Sequence, residues 1–197
     1  PEFLNASYGD TLRRFDFWPA STIKIYTATS ALELLSKEGF TLDATAHFYH
    51  REGTNDWSYD TSRTFREIIF NTFDFSSNHD YTLLLRFAGL DWLNSEFFVP
   101  ENGFTQTALM RGYVTNRPWV YVREESQRIV VEEGARSFER LHTWSGTSYA
   151  DLVGCTVYND LSTANCSTPE DMVEHMRRLM FHEGLPDPER FAVDLDD

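Results

Sequence analysis

The chain has 197 residues, of which 41% are hydrophobic and 24% charged, the composition of a folded domain and not of a disordered one. Its 17 basic and 31 acidic residues leave a net charge of −14, which repels nucleic-acid phosphates and anionic lipid and argues against both as partners. No apolar run approaches the roughly 20 residues of a bilayer-spanning helix, so membrane insertion is not expected. One domain over 1–197 fits the length.

At the start, Pro1-Glu2-Phe3 matches a cloning remnant and is set aside from fold reasoning. The apolar spacing of Ile23, Ala28, Ala31, Leu34 and Leu35 predicts a helix over 21–37, stopped at Gly39. Residues 41–62, rich in Asp, Thr, His and Gly, read as loop. A second helix is expected over 64–73, with Thr64 as its cap and Glu67 at capping-box spacing. The cluster of Phe residues in 65–75 reads as core. A third helix over 81–87 closes at Gly89, and a fourth covers 93–98. β-Branched alternation over 119–122 and 128–131 predicts a hairpin turning at Glu124-Glu125-Ser126-Gln127. Thr168-Pro169-Glu170-Asp171 opens a last helix running to about Phe181, with Arg177, Arg178 and His182 at the end where the dipole favours cations. The expected architecture is α+β, mainly helical with one hairpin.

Several minor features have ordinary readings. Cys155 and Cys166 can bridge a small loop in an oxidising compartment or stay two partly buried thiols, and the sequence leaves both open. His47 and His50 have the spacing of a metal pair but no third His nearby, so a surface role is expected, and no metal. His175 and His182 read as a solvated helix face. Asn5-Ala6-Ser7 and Asn165-Cys166-Ser167 match the glycosylation acceptor pattern, and the tail 194–197 reads as a solvated acidic end.

The sharpest feature is Pro19-Ala20-Ser21-Thr22-Ile23-Lys24. A serine three residues before a lysine on one helix puts hydroxyl and amine on the same face. The helix start leaves backbone N–H groups for an oxyanion, and its positive field together with burial favours the neutral amine, which can then take the serine proton. The chain has only two lysines, Lys24 and Lys37, so the pairing is less expected by chance than it would be in a lysine-rich chain. The competing reading is a capping serine beside a solvated lysine.

Downstream come Thr64-Phe65-Arg66-Glu67, then Ser76-Ser77-Asn78 55 residues after Ser21, and later Thr168-Pro169-Glu170-Asp171-Met172. In this order the segments resemble the penicillin-recognising serine enzymes, the serine β-lactamases and D,D-peptidases, whose motifs are S-x-x-K, S-x-N and K-T-G. The resemblance implies a β-lactamase/transpeptidase-like fold. By it Ser21 is the acylated nucleophile, Lys24 its general base, Ser76 a proton relay toward the leaving nitrogen, and Asn78 a ligand for a substrate amide. It also implies an amide or β-lactam-like substrate, no cofactor, and a place outside the cytoplasm, at the cell envelope or secreted.

Three departures qualify that reading. Ser77 stands where β-lactamases carry Asp, and none of Glu101, Glu124 or Glu125 falls where a deacylating carboxylate is expected. No Lys-Thr-Gly follows the last helix; the nearest look-alike, His142-Thr143-Trp144-Ser145-Gly146-Thr147, precedes that helix and carries an inserted residue. The family's sheet strands are then expected to be largely missing, and a second polypeptide segment to complete the sheet. The rival class is a non-catalytic ligand-binding or sensor module that keeps the fold without turnover.

Overall fold

The structure, a computed structural model, describes residues 16–157 and 164–193. Pro1-Glu2-Phe3, the Asn5 acceptor pattern and the tail 194–197 lie outside them. Six helices and four strands make the described part a mixed α+β fold. Helix α1 is Ile23–Lys37, entered through a 3-10 turn at Ala20–Thr22. Strands β1 (Thr45–Arg51) and β2 (Ser58–Thr64) follow, then α2 (Phe65–Asp74), α3 (Asn78–Ala88) and the short α4 (Leu90–Trp92), which continues as a π turn over Leu93–Phe97. Strands β3 (Ser126–Glu133) and β4 (Arg136–His142), a one-turn helix α5 (Tyr149–Leu152) and α6 (Pro169–Met180) complete the order.

The four strands form one antiparallel sheet in the order β2-β1-β3-β4. This corrects two expectations, the single hairpin and the loop over 41–62. Strand β1 alternates Ala46 and Phe48, both fully buried, with half-buried Thr45, His47 and Tyr49, the pattern of a strand covered on one face. Its polar half masked that pattern. The hairpin is also one strand later than expected, turning at Gly134, whose φ of +61° suits a tight reversal. Residues 119–122 cannot ladder as supposed, since the Trp119 and Val120 amides are both spent on the Asn116 carbonyl.

Helices α1, α2 and α3 share the main core with the sheet, through Ile23, Tyr26, Ile68, Leu83, Leu84, Phe87, Ile129 and Val131. The side chain of Arg86 ties α3 to the sheet. Fully buried, it donates to Gln127 Oε1 (2.7 Å) on β3, to the Tyr49 carbonyl (3.3 Å) on β1 and to Asp60 Oδ2 (2.7 Å) on β2. A buried guanidinium is tolerable only with such full pairing.

Side-chain caps open three helices, and the one on α2 is as expected. Thr64 and Glu67 form a reciprocal capping box on α2, Ser77 caps α3 by accepting from the Asp80 amide, and Thr168 caps α6 by accepting from the Asp171 amide. The Phe cluster divides: Phe65 is core, while Phe70, Phe73 and Phe75 are more than half exposed, which corrects the all-core reading. His175 is fully buried among Tyr26, Phe104 and Phe191, which corrects the solvated-face reading. His47 bonds Ser62 Oγ and His50 bonds Asp60 Oδ2, each through Nδ1.

Candidate active site

Ser21, Lys24 and Ser76 line one open cavity of about 320 Å³, shared with Ile25, Thr72, Phe73, Met172 and Met176. The Lys24 ammonium nitrogen donates to Ser76 Oγ at 2.9 Å and to the Ser76 carbonyl at 2.5 Å. Ser76 Oγ lies 3.4 Å from Ser21 Oγ. Two hydroxyls and an amine are therefore in sequence along one hydrogen-bonded line, Ser21 to Ser76 to Lys24.

The burial pattern is unusual for a lysine. Lys24 is 3% exposed, whereas Lys37 lies mostly in solvent beside Glu33. Among the described residues no carboxylate pairs with Lys24, and burial lowers its pKa. The amine is thus moved toward its neutral, proton-accepting form.

Backbone geometry points to the same place. Among the described residues only Ala20 (φ +46°) and Ser76 (φ +50°) are non-glycine residues with positive φ. One immediately precedes Ser21; the other carries the hydroxyl that lies between Ser21 and Lys24. Each such conformation costs on the order of 1 kcal/mol or more and persists only where the surroundings impose it, commonly at functional sites. Ser76 occupies the left-handed position just after α2, where glycine would be unstrained, and the Ser77 amide closes the turn onto the Asn71 carbonyl at 3.0 Å.

The strained Ala20 peptide is held from outside the helix. Tyr113 Oη donates to the Ala20 carbonyl at 2.9 Å. Asn165, fully buried, donates from Nδ2 to Tyr113 Oη (3.3 Å) and the Arg111 carbonyl (3.1 Å), and its Oδ1 accepts from the Met110 and Arg111 amides. Its amide is fully committed inside the protein, which removes Asn165 as a glycosylation acceptor. Upstream, Phe17 pairs antiparallel with Ser167, at 2.8 and 3.1 Å, and so fixes the approach to Ser21. Cys155 and Cys166 are disulfide-bonded with Cα atoms 6.1 Å apart, anchoring the strand-like segment that carries Asn165 and Ser167. Neither Tyr113 nor Asn165 was singled out for this role from sequence; a tyrosine 93 residues from the carbonyl it holds leaves no local signal.

Asn78 is brought close in sequence but not into the hydrogen-bonded line. It is the first residue of α3 and exposed, and it does not line the Ser21 cavity. Ser77, standing where the resemblance puts Asp, donates to Asp80 Oδ2 at 2.5 Å and serves as a cap. Neither Glu101, Glu124 nor Glu125 lines the cavity, and Glu125 is ion-paired with Arg117. The His142–Thr147 look-alike begins at the last residue of β4 and runs into the loop after it, where Ser145 binds Asp91. Asp16, Cys155 and Cys166 cluster closely enough to suggest a metal site. The cysteines are bridged, however, and both Asp16 oxygens accept bonds from Thr156 and Val157.

No helix among the described residues is long and apolar enough to cross a membrane. Comparison with protein-family models, curated proteins and solved structures finds no match to this chain.

Proposed function

We propose that the protein is a serine hydrolase or acyltransferase of the β-lactamase/D,D-peptidase type, working through an acyl-enzyme on Ser21. The observation that carries this reading is the line from Ser21 Oγ through Ser76 Oγ to a buried Lys24 without a carboxylate partner among the described residues. A lysine held that way is a poor structural element and a good proton acceptor.

In the proposed step, Ser21 Oγ attacks a carbonyl carbon of an amide, β-lactam or ester. Its proton passes to Ser76 Oγ as Ser76 gives its own to neutral Lys24. Lys24 returns the proton through Ser76 to the leaving nitrogen or oxygen as that bond breaks. Water then attacks the acyl-serine, with the same pair accepting its proton, and Ser21 is restored with release of the acid. The Ser21 amide, which has no acceptor among the described residues, supplies one donor to the oxyanion. Among the described residues no carboxylate lines the cavity, so Lys24 serves both half-reactions. An extracytoplasmic setting belongs to the proposal, supported by the Cys155–Cys166 bridge.

Intact-mass spectrometry after incubation with a penicillin and with a neutral p-nitrophenyl ester tests the reading. An acyl adduct from either, absent in Ser21→Ala, is the expected result. No adduct from any acyl donor leaves a binding module as the surviving interpretation.

A further inference from the structure

The cavity beside Ser21 has a marked chemical bias. Apart from the three polar site residues, its walls are the side chains of Ile25, Phe73, Met172 and Met176 together with two threonines. Phe73 stays 51% exposed and Met176 36%, although both could be polar at no cost to the core. Exposed large apolar side chains grouped around a reactive hydroxyl mark a surface that is covered when ligand binds. Methionines on one wall also suit occupants of variable shape, because the thioether chain repacks easily.

Charge points the same way. Among the described residues Lys24 is the only cation lining the cavity, and its nitrogen is turned onto Ser76. A substrate carboxylate would therefore meet thioether and phenyl carbon instead of a cation, in a protein of net charge −14. An uncharged chain meets no such cost and gains by removing apolar surface from water.

We infer that the acyl group delivered to Ser21 is uncharged and apolar, a short to medium acyl chain lying between Phe73 and the Met172/Met176 wall. The inference rests on the Ser21 nucleophile reading and narrows it. The covalent step is the one already written: Ser21 Oγ forms the bond to the acyl carbon, the bond to the leaving alkoxide breaks, and that alkoxide takes the proton from Lys24 through Ser76.

A series of p-nitrophenyl esters from acetate to octanoate, together with mono-p-nitrophenyl adipate, tests it on the intact protein with Ser21→Ala as the background. The expected result is a kcat/KM that rises roughly threefold per added methylene until the cavity is filled. Hexanoate should exceed its equally long, carboxylate-ended counterpart adipate at least tenfold. In Met176→Lys the hexanoate-to-adipate ratio should fall by a comparable factor, and the wild-type series stands without that variant. A flat series, or adipate as good as hexanoate, overturns the inference while the Ser21 adduct still forms. Absence of any Ser21 adduct, with these esters or with a fluorophosphonate, overturns the nucleophile reading and the inference with it.

Discussion

Tyr113 holds the carbonyl of Ala20 at 2.9 Å, and Ala20 is the strained residue immediately before Ser21. The peptide before Ser21, the proposed nucleophile, is therefore clamped by a residue that does not itself line the Ser21 cavity. Tyr113 is in turn braced by the Tyr81 ring, 5.1 Å away between centroids, and by Asn165.

Tyr113→Phe keeps the ring and removes the donor. A single net hydrogen bond of about 1 kcal/mol corresponds to a roughly threefold to tenfold loss, expected in kcat with KM little changed. A purely structural role would instead lower the unfolding midpoint and leave kcat per folded molecule intact. Steady-state kinetics paired with urea titration separates the two.

In the proposed mechanism Ser76 combines strain with chemistry, and two substitutions divide them. Both Ser76→Ala and Ser76→Gly remove the relay hydroxyl, so each should lower acylation by roughly 10²-fold or more. Glycine relaxes the positive φ whereas alanine keeps it. Ser76→Gly should then be the more stable of the two by about 1 kcal/mol. Equal stabilities would remove the argument from strain.

Burial holds the Lys24 pKa below the ordinary 10.5, so the neutral base becomes available at lower pH than for a free lysine. Acylation should rise with pH and level off, with a midpoint below 10.5 assigned to Lys24. Lys24→Arg, permanently charged, should lose about 10²- to 10⁴-fold and the associated rise. Stopped-flow acylation rates between pH 5 and 10 would read this directly.

Two buried imidazoles should make the fold lose stability as pH falls below neutral. Burial, and secondarily Arg178, lowers His175 to about 3; burial, with Arg140 and Arg86 adding to it, lowers His142 to about 4. Both sit well under the unfolded value of 6.5, so the unfolded chain binds protons first as pH falls. Their contribution is whole above pH 6.5 and declines through the window down to about 4 and 3, by about 1.4 kcal/mol per pH unit for each histidine. Urea unfolding at pH 7, 6 and 5 should record the decline, and His175→Leu should reduce its slope by about half.

Local signals carried much of this molecule. The α1, α2, α3 and α6 helices were legible because their apolar spacing and caps lie within a few residues of each other. The Ser21, Lys24 and Ser76 grouping was legible because two short motifs bracket it. Strand β1 was not, since its buried face is only Ala46 and Phe48 among polar neighbours, and its partner β3 lies far downstream in sequence. The exposed Phe70, Phe73 and Phe75 could not be told from core by type alone, because burial depends on what packs above α2. Tyr113 and Asn165 were invisible for the same reason: their roles are set by tertiary approach.

The bond between Lys24 and Ser76 joins positions 52 residues apart. An isolated α1 helix can place Ser21 near Lys24, but only the docked α1, α2 and α3 bring up the third member. Covalent labelling at Ser21 should therefore report on the folded population molecule by molecule. In a denaturant series the labelled fraction would trace the cooperative transition, and a destabilised variant would under-label in proportion to its unfolded share. Under the proposed mechanism Ser21 is, in that sense, an internal gauge of the fold's integrity.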